Sequence, residues 1–219
     1  MKNPYDEDYF ERGIELGISG YSNYRWMPEL TIPMCARIIE ILDIKDEDKI
    51  LDYGCAKGFY VKAFRLLHKQ CWGYDTSKYA LSQVSASIKR FVSNDLKALG
   101  NFKIVIAKDV FEHIDYSKID SILKEISEIT EYLLCIIPLG YRGKYIVPAY
   151  ELDKTHIIKE SLSWWKKKLD KCGFNILSSE YNMKHIKQNY SQWKKGNGFI
   201  ICKQRNENET YASSDSILQ

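Results

Sequence analysis

The chain has 219 residues, the length of one domain with room for a full seven-stranded α/β core. A net charge of +3 is too small to imply nucleic acid, no run of about 18 apolar residues marks a membrane span, and the opening Met1-Lys2-Asn3-Pro4-Tyr5-Asp6 is no signal peptide. A cytoplasmic protein, monomeric or homodimeric, with neither a membrane nor a nucleic-acid partner is therefore expected.

Residues 1–45 precede the sheet as an N-terminal helical arm. Tyr9 to Tyr21 mixes glycine and serine with apolar residues, suiting a loop or short helix that packs closely. Tyr24-Arg25-Trp26-Met27-Pro28 follows, and Pro33 is read as opening an amphipathic helix with Ile38, Ile41 and Leu42 on one face. Two roles stay open for this segment: a packing arm, or a lid in which Arg25 meets a carboxylate and the tyrosines donate hydroxyls.

Ile50-Leu51-Asp52-Tyr53-Gly54-Cys55-Ala56-Lys57-Gly58 then reads as a strand, a tight turn and a helix start. A dinucleotide turn, G-x-G-x-x-G, would need glycine at positions 56 and 59, where Ala56 and Phe59 stand. The pattern D-x-G-x-x-x-G suits a ligand with an ammonium and a carboxylate instead. Asp52 offsets the positive group, directly or through water, and backbone N–H groups around Gly54 and Cys55 take the negative one. A second strand, Cys71 to Tyr74, ends in Asp75 and Thr76, where an acid accepts from both hydroxyls of a ribose. A third, Phe91 to Ser93, ends in Asn94-Asp95-Leu96, suited to an adenine edge and face. A fourth, Phe102 to Ala107, runs into Lys108-Asp109-Val110-Phe111-Glu112-His113.

Ser117 to Ile129 has helical periodicity, and Tyr132 to Ile137 is an apolar run fit for a buried parallel strand. Residues 139–160 form a long connection, a candidate substrate loop containing Arg142, Lys144, Asp153, Lys154 and His156. A helix from Ser161 stops at Gly173, and two strands close the chain, Phe174 to Tyr181 and Gly198 to Lys203. The basic, aromatic segment 184–195 between them is expected as an exposed insertion, and the serine-rich residues 204–219 as a disordered tail. The six cysteines form no C-x-x-C pair and are expected as buried thiols, with Cys55 the exception by its place in the ligand loop, where it is expected as a small packing residue and not a nucleophile.

The run I-L-D-Y-G-C-A-K-G at 50–58, the acid Asp75, N-D-L at 94–96 and K-D-V-F-E-H at 108–113 together resemble the class I S-adenosylmethionine-dependent methyltransferases. The resemblance implies a Rossmann-like α/β fold over residues 46–203: a seven-stranded, mostly parallel sheet with the last strand antiparallel and helices on both faces. It implies S-adenosylmethionine as cofactor, S-adenosylhomocysteine as product, and cofactor contacts from Tyr24, Arg25, Asp52, Gly54, Cys55, Ala56, Gly58, Asp75, Thr76, Asn94, Asp95, Leu96 and Lys108. Lys57 departs from the pattern and is tolerable if it points outward.

Methyl transfer from a sulfonium needs orientation and, for a hydroxyl acceptor, a base. His113, His156 and Asp109 are the candidates; His68 and His185 lie away from the strand ends. Asp153-Lys154-Thr155-His156 and the N-terminal G-I-S-G-Y-x-x-Y-R-W resemble enzymes of bacterial surface-glycan pathways, which implies a small polar acceptor and O-methylation of a sugar, sugar nucleotide or phosphorylated decoration. A protein or RNA nucleophile served by residues 184–195, and a non-catalytic S-adenosylmethionine-binding partner subunit, are the alternatives. No tight acidic cluster signals a metal, so none is expected.

Overall fold

Three helices lead into the sheet in the computed structural model, which describes residues 3–187 and 190–205. They are α1 (Glu7–Glu11), α2 (Gly13–Leu16) and α3 (Pro28–Leu42). After them come β1 (Lys49–Tyr53), α4 (Phe59–Leu66), β2 (Gln70–Tyr74), α5 (Lys78–Ser82), β3 (Val92–Ser93), β4 (Phe102–Lys108), α6 (Ile119–Ile129) and β5 (Thr130–Pro138). A small hairpin of β6 (Gly140–Tyr141) and β7 (Lys144–Tyr145) precedes α7 (Leu162–Lys171), β8 (Phe174–Glu180) and β9 (Asn197–Gln204).

Seven strands form one sheet in the order β3-β2-β1-β4-β5-β9-β8. β9 runs antiparallel to β5 and β8, and the others are parallel, the Rossmann-like arrangement expected from the sequence. Strand order reverses between β1 and β4. The carboxyl ends of these two strands flank the crevice where such sheets take ligands.

Alternation along the strands fills both faces. Leu51, Val105, Ala107, Leu133 and Cys135 point to one side, where Ile119, Leu123 and Ile126 of α6 and Trp165 and Leu169 of α7 cover them. Ile50, Ile104, Ile106, Leu134 and Ile136 point to the other, against Cys35 and Ile38 of α3 and Val61, Ala63 and Phe64 of α4. Each large side chain buried this way contributes about 2 kcal/mol. All six cysteines are buried and free. Among the described residues no helix is long and apolar enough to cross a membrane.

Four expectations need correction. α3 begins at Pro28, not Pro33: Pro28 sits in the first turn, where a missing N–H costs nothing, and the Thr31 hydroxyl donates to the Met27 carbonyl at 3.0 Å. Pro33 lies inside the helix. Residues 139–160 are not one open loop. Arg142 and Gly143, with φ of 52° and 77°, turn β6 into β7, and residues Pro148–Leu152 form a 3₁₀ turn. The segment 184–195 is only partly exposed, because Ile186 and Lys187 turn inward. Finally, β9 reaches Gln204, and the Arg205 N–H donates to the Gly173 carbonyl at 2.8 Å. The rest of the expected disordered tail, 206–219, lies outside the described residues.

Candidate active site

A small cavity opens at the carboxyl ends of β1 and β4. Its walls are Asp52, Gly54, Cys55 and Ala56 of the turn, Phe59 and Tyr60 of α4, Lys108 and Asp109 after β4, and Tyr21 and Tyr24 of the arm. Gly54 has φ of 81°, and a Cβ on it would lie 2.5 Å from Cγ2 of Val110, so only glycine lets the turn approach the end of β4. Gly58, with φ of 72°, caps α4.

The backbone of this turn is committed differently from the expectation. The N–H groups of Gly54 and Cys55 both donate to the Tyr74 carbonyl, at 2.8 and 2.9 Å, because the turn folds back over the end of β2. They are not aimed at a ligand carboxylate. The Ala56 N–H donates to Asp75 Oδ2 and the Ser77 N–H to Asp75 Oδ1, both at 2.7 Å. Burial raises the Asp75 carboxyl while these backbone donors oppose it. The Thr76 N–H is a third such donor, so one of the four lone-pair sites of Asp75 is left for a further partner. Asp52 is buried beside it; desolvation first, then the charge of Asp75, push its carboxyl up to about 8, with Lys108 opposing. The cavity thus holds a buried acid, and Lys108, the cation that opposes its shift, is paired with Asp109. Cys55 is a buried thiol raised by desolvation, which makes it a packing residue and no nucleophile.

Lys57 does not point outward. Its ammonium donates to Glu11 Oε1 and to the Tyr24 carbonyl, at 2.5 and 2.7 Å, and ties the arm down over the turn. The arm is fastened at its other side too: the Tyr9 hydroxyl donates to Asp153 Oδ2 at 2.8 Å, and the Lys154 N–H donates to the Ile18 carbonyl. Phe10, Tyr21, Tyr24 and Tyr79 pack between these anchors. The segment is at once a packing element and a roof over the cavity.

Asp109 occupies the left-handed region, φ 55°, with Lys108 on Oδ2 at 2.6 Å and Lys187 on Oδ1. Burial alone would raise this carboxyl, but the two ammonium groups outweigh it and hold it well below the usual range. A carboxylate so held is a poor proton acceptor. Sequence reasoning missed Lys187, which lies within a basic run with nothing but the adjacent apolar Ile186 to mark it as inward-facing.

His113 and His156 meet, their ring centroids 4.5 Å apart. The N–H groups of Ile157 and Ile158 donate to the Glu112 carbonyl at 2.7 and 2.9 Å, which docks the post-β5 segment on the turn after β4. His156 Nδ1 lies 2.8 Å from the Tyr150 carbonyl, and His113 Nδ1 lies 2.7 Å from Thr155 Oγ1. Both Nε2 atoms face Glu112 Oε1, at 4.0 Å from His113 and 3.9 Å from His156. Burial lowers His113 to about 4, with His156 adding to the shift, and burial lowers His156 as well. Both rings are therefore neutral near pH 7. Glu112, fully buried, was not singled out from the sequence.

Other predicted contacts fall elsewhere. Arg25 and Thr76 are exposed, and neither lines the cavity. Asn94 and Asp95 are exposed at the edge; Asp95 Oδ1 accepts from the Lys97 N–H, and Leu96 is buried in the core. His68 closes the turn after α4 with φ of 60°, and His185 is exposed.

Sheet order, glycine turn and crevice together define a Rossmann-like α/β fold with a ligand site at its strand ends. The chain belongs to the family described as Methyltransferase domain, which matches residues 26–179. S-adenosylmethionine is its methyl donor, and it is a methyltransferase. Similar solved structures include an S-adenosylmethionine-dependent methyltransferase from Clostridium acetobutylicum, 14% identical with TM-score 0.59, covering 80% of this chain and 92% of that one. Another, from Archaeoglobus fulgidus, is 17% identical with TM-score 0.60, covering 81% and 95%. The mitomycin 7-O-methyltransferase is 12% identical with TM-score 0.59, covering 88% and 65%. No curated protein matches the chain.

Proposed function

We propose that the protein methylates an oxygen of a small polar acceptor, a sugar, sugar nucleotide or phosphorylated surface-glycan decoration, in the cytoplasm. The carrying observation is the charge at the cavity wall: Lys108 and Asp109 line it, Lys187 pairs with Asp109, and His113 and His156 lie within electrostatic reach of Asp109. A polar acceptor can share hydrogen bonds with the charged wall, which an apolar ring cannot. One structural neighbour is named for methylating an oxygen, which agrees with the reading.

On the donor side, the proposed contacts are an ammonium on Asp52 and a ribose hydroxyl on the remaining lone pair of Asp75. The transfer itself depends on holding the acceptor oxygen in line with the methyl group. Incubating the protein with S-adenosylmethionine and a panel of sugars and sugar nucleotides should give a gain of one CH₂ on a member of that panel, read by mass spectrometry. Formation of S-adenosylhomocysteine with methyl groups appearing only on protein, RNA or an apolar ring would overturn the acceptor class.

A further inference from the structure

The Glu112, His113 and His156 cluster is unsatisfied as it stands. Glu112 is wholly buried, and neither carboxylate oxygen has a hydrogen-bond partner. Leaving such a group without a partner is costly. Its surroundings make the deficit larger. The Asp153 carboxylate only accepts, so the Thr155 hydroxyl must donate its single proton to Asp153 Oδ1, at 2.6 Å. Thr155 Oγ1 then accepts from His113 Nδ1–H, 2.7 Å away. The Tyr150 carbonyl likewise fixes the proton of His156 on Nδ1. Both imidazoles thus present bare Nε2 lone pairs, and both aim them at a carboxylate oxygen. Two imidazole nitrogens and a buried carboxyl, which burial biases toward its protonated form, thus converge, with Asp153 Oδ2 also 3.9 Å from His156 Nε2.

We propose that Glu112, His113 and His156 bind a first-row transition-metal dication, with zinc the reference ion. One ligand atom from each residue lies within 4.8 Å of the others. Around a tetrahedral ion with bonds of roughly 2.1 Å, ligand atoms stand about 3.4 Å apart, so a contraction of roughly half an ångström closes the observed 3.9 and 4.0 Å pairs. Two imidazoles with one carboxylate suit zinc, cobalt or iron, whereas magnesium and calcium demand oxygen. Asp153 and Thr155 behind His113, and the Tyr150 carbonyl behind His156, are the outer hydrogen bonds that orient metal-binding histidines. Asp153 itself is taken by Tyr9 and Thr155, which leaves three protein ligands and an open position. The sequence led to the opposite expectation, because His156 is remote from the Glu112-His113 pair along the chain.

The test uses the full chain, stripped with a chelator and titrated with zinc, cobalt and magnesium by calorimetry, with metal content counted by mass spectrometry. One zinc or cobalt per chain is expected, with magnesium at least about a hundredfold weaker. Glu112→Gln and His156→Ala should each lower zinc affinity more than about a hundredfold, and Thr155→Val about tenfold. S-adenosylhomocysteine binding, which reads the other end of the crevice, checks that each variant is folded; His113→Ala substitutes for any that is not. Zinc affinity unchanged in the folded variants overturns the assignment. So does a sulfur-to-cobalt charge-transfer band, which would place the ion on a cysteine.

Discussion

At the glycine-turn end of the crevice, the cavity is shaped by residues 52–60 with Asp75, and mostly by backbone: the Gly54 approach to Val110, and two N–H groups on the Tyr74 carbonyl. At the histidine end, beyond the cavity wall, side chains from three remote stretches, 109–113, 150–156 and Lys187, are brought together. The first end depends on glycine at 54, where a positive φ and the close approach to Val110 admit no side chain. The second tolerates any sequence that returns the right few groups to one place, so it leaves no local pattern.

The sharpest way to break the contrast is Gly54→Val. A left-handed φ costs a β-branched residue about 1–2 kcal/mol, and overpacking against Val110 adds about 1–3. We expect a loss of roughly 2–5 kcal/mol in urea unfolding and no measurable cofactor binding. Stability within 0.5 kcal/mol (about the scatter of a surface change) would show that the turn is not backbone-limited.

Lys187→Met should come next. It removes one of two cations from a buried carboxylate, and breaking a buried pair outright costs about 3–5 kcal/mol. Because Lys108 remains on Asp109, the expected loss is smaller, about 1–2 kcal/mol, and acceptor turnover should fall with cofactor affinity nearly unchanged. Equal losses in both would mean that the two ends are not separable.

Asp52 offers a pH test of the turn end. Its folded carboxyl titrates at about 8, above the ordinary value near 4, so between these values the folded chain holds a proton that the unfolded chain releases. Stability of the ligand-free protein should therefore fall as pH rises through that window, by at most about 1.4 kcal/mol per unit, and level off above it. Binding of the ammonium-bearing cofactor needs the ionised acid and should tighten over the same range. Asp52→Asn should flatten both curves and weaken binding about tenfold. A wild-type affinity independent of pH would remove Asp52 from the ammonium site.

These expectations explain what the sequence could and could not disclose. The seven strands were legible because apolar runs such as Tyr132 to Ile137 are buried on both faces, and the strand-end acids Asp52 and Asp75 stand at fixed positions after them. The commitment of the Gly54 and Cys55 N–H groups was not, since it depends on how the turn lies over β2. Glu112 and Lys187 were hidden for another reason: a buried charge has the same letter as a solvated one, and only tertiary contacts separate them. His113 and His156 were named singly, but their meeting rests on two hydrogen bonds to the Glu112 carbonyl.

The arm yields the finest comparison, between two cations that look alike in the sequence. Lys57 is nearly buried, holds Glu11 and the Tyr24 carbonyl, and should behave as a latch: Lys57→Ala is expected to cost about 1–2 kcal/mol and speed cofactor release about tenfold, by stopped-flow fluorescence. Arg25, one residue beyond Tyr24, is exposed and outside the cavity wall. Arg25→Ala should therefore change cofactor affinity by less than about twofold, the scale of an ordinary surface substitution. A large loss in Arg25→Ala with little in Lys57→Ala would mean that the arm moves once ligand is bound, carrying Arg25 inward and releasing Lys57. The roof would then be a mobile lid and the clasp on Glu11 a resting state.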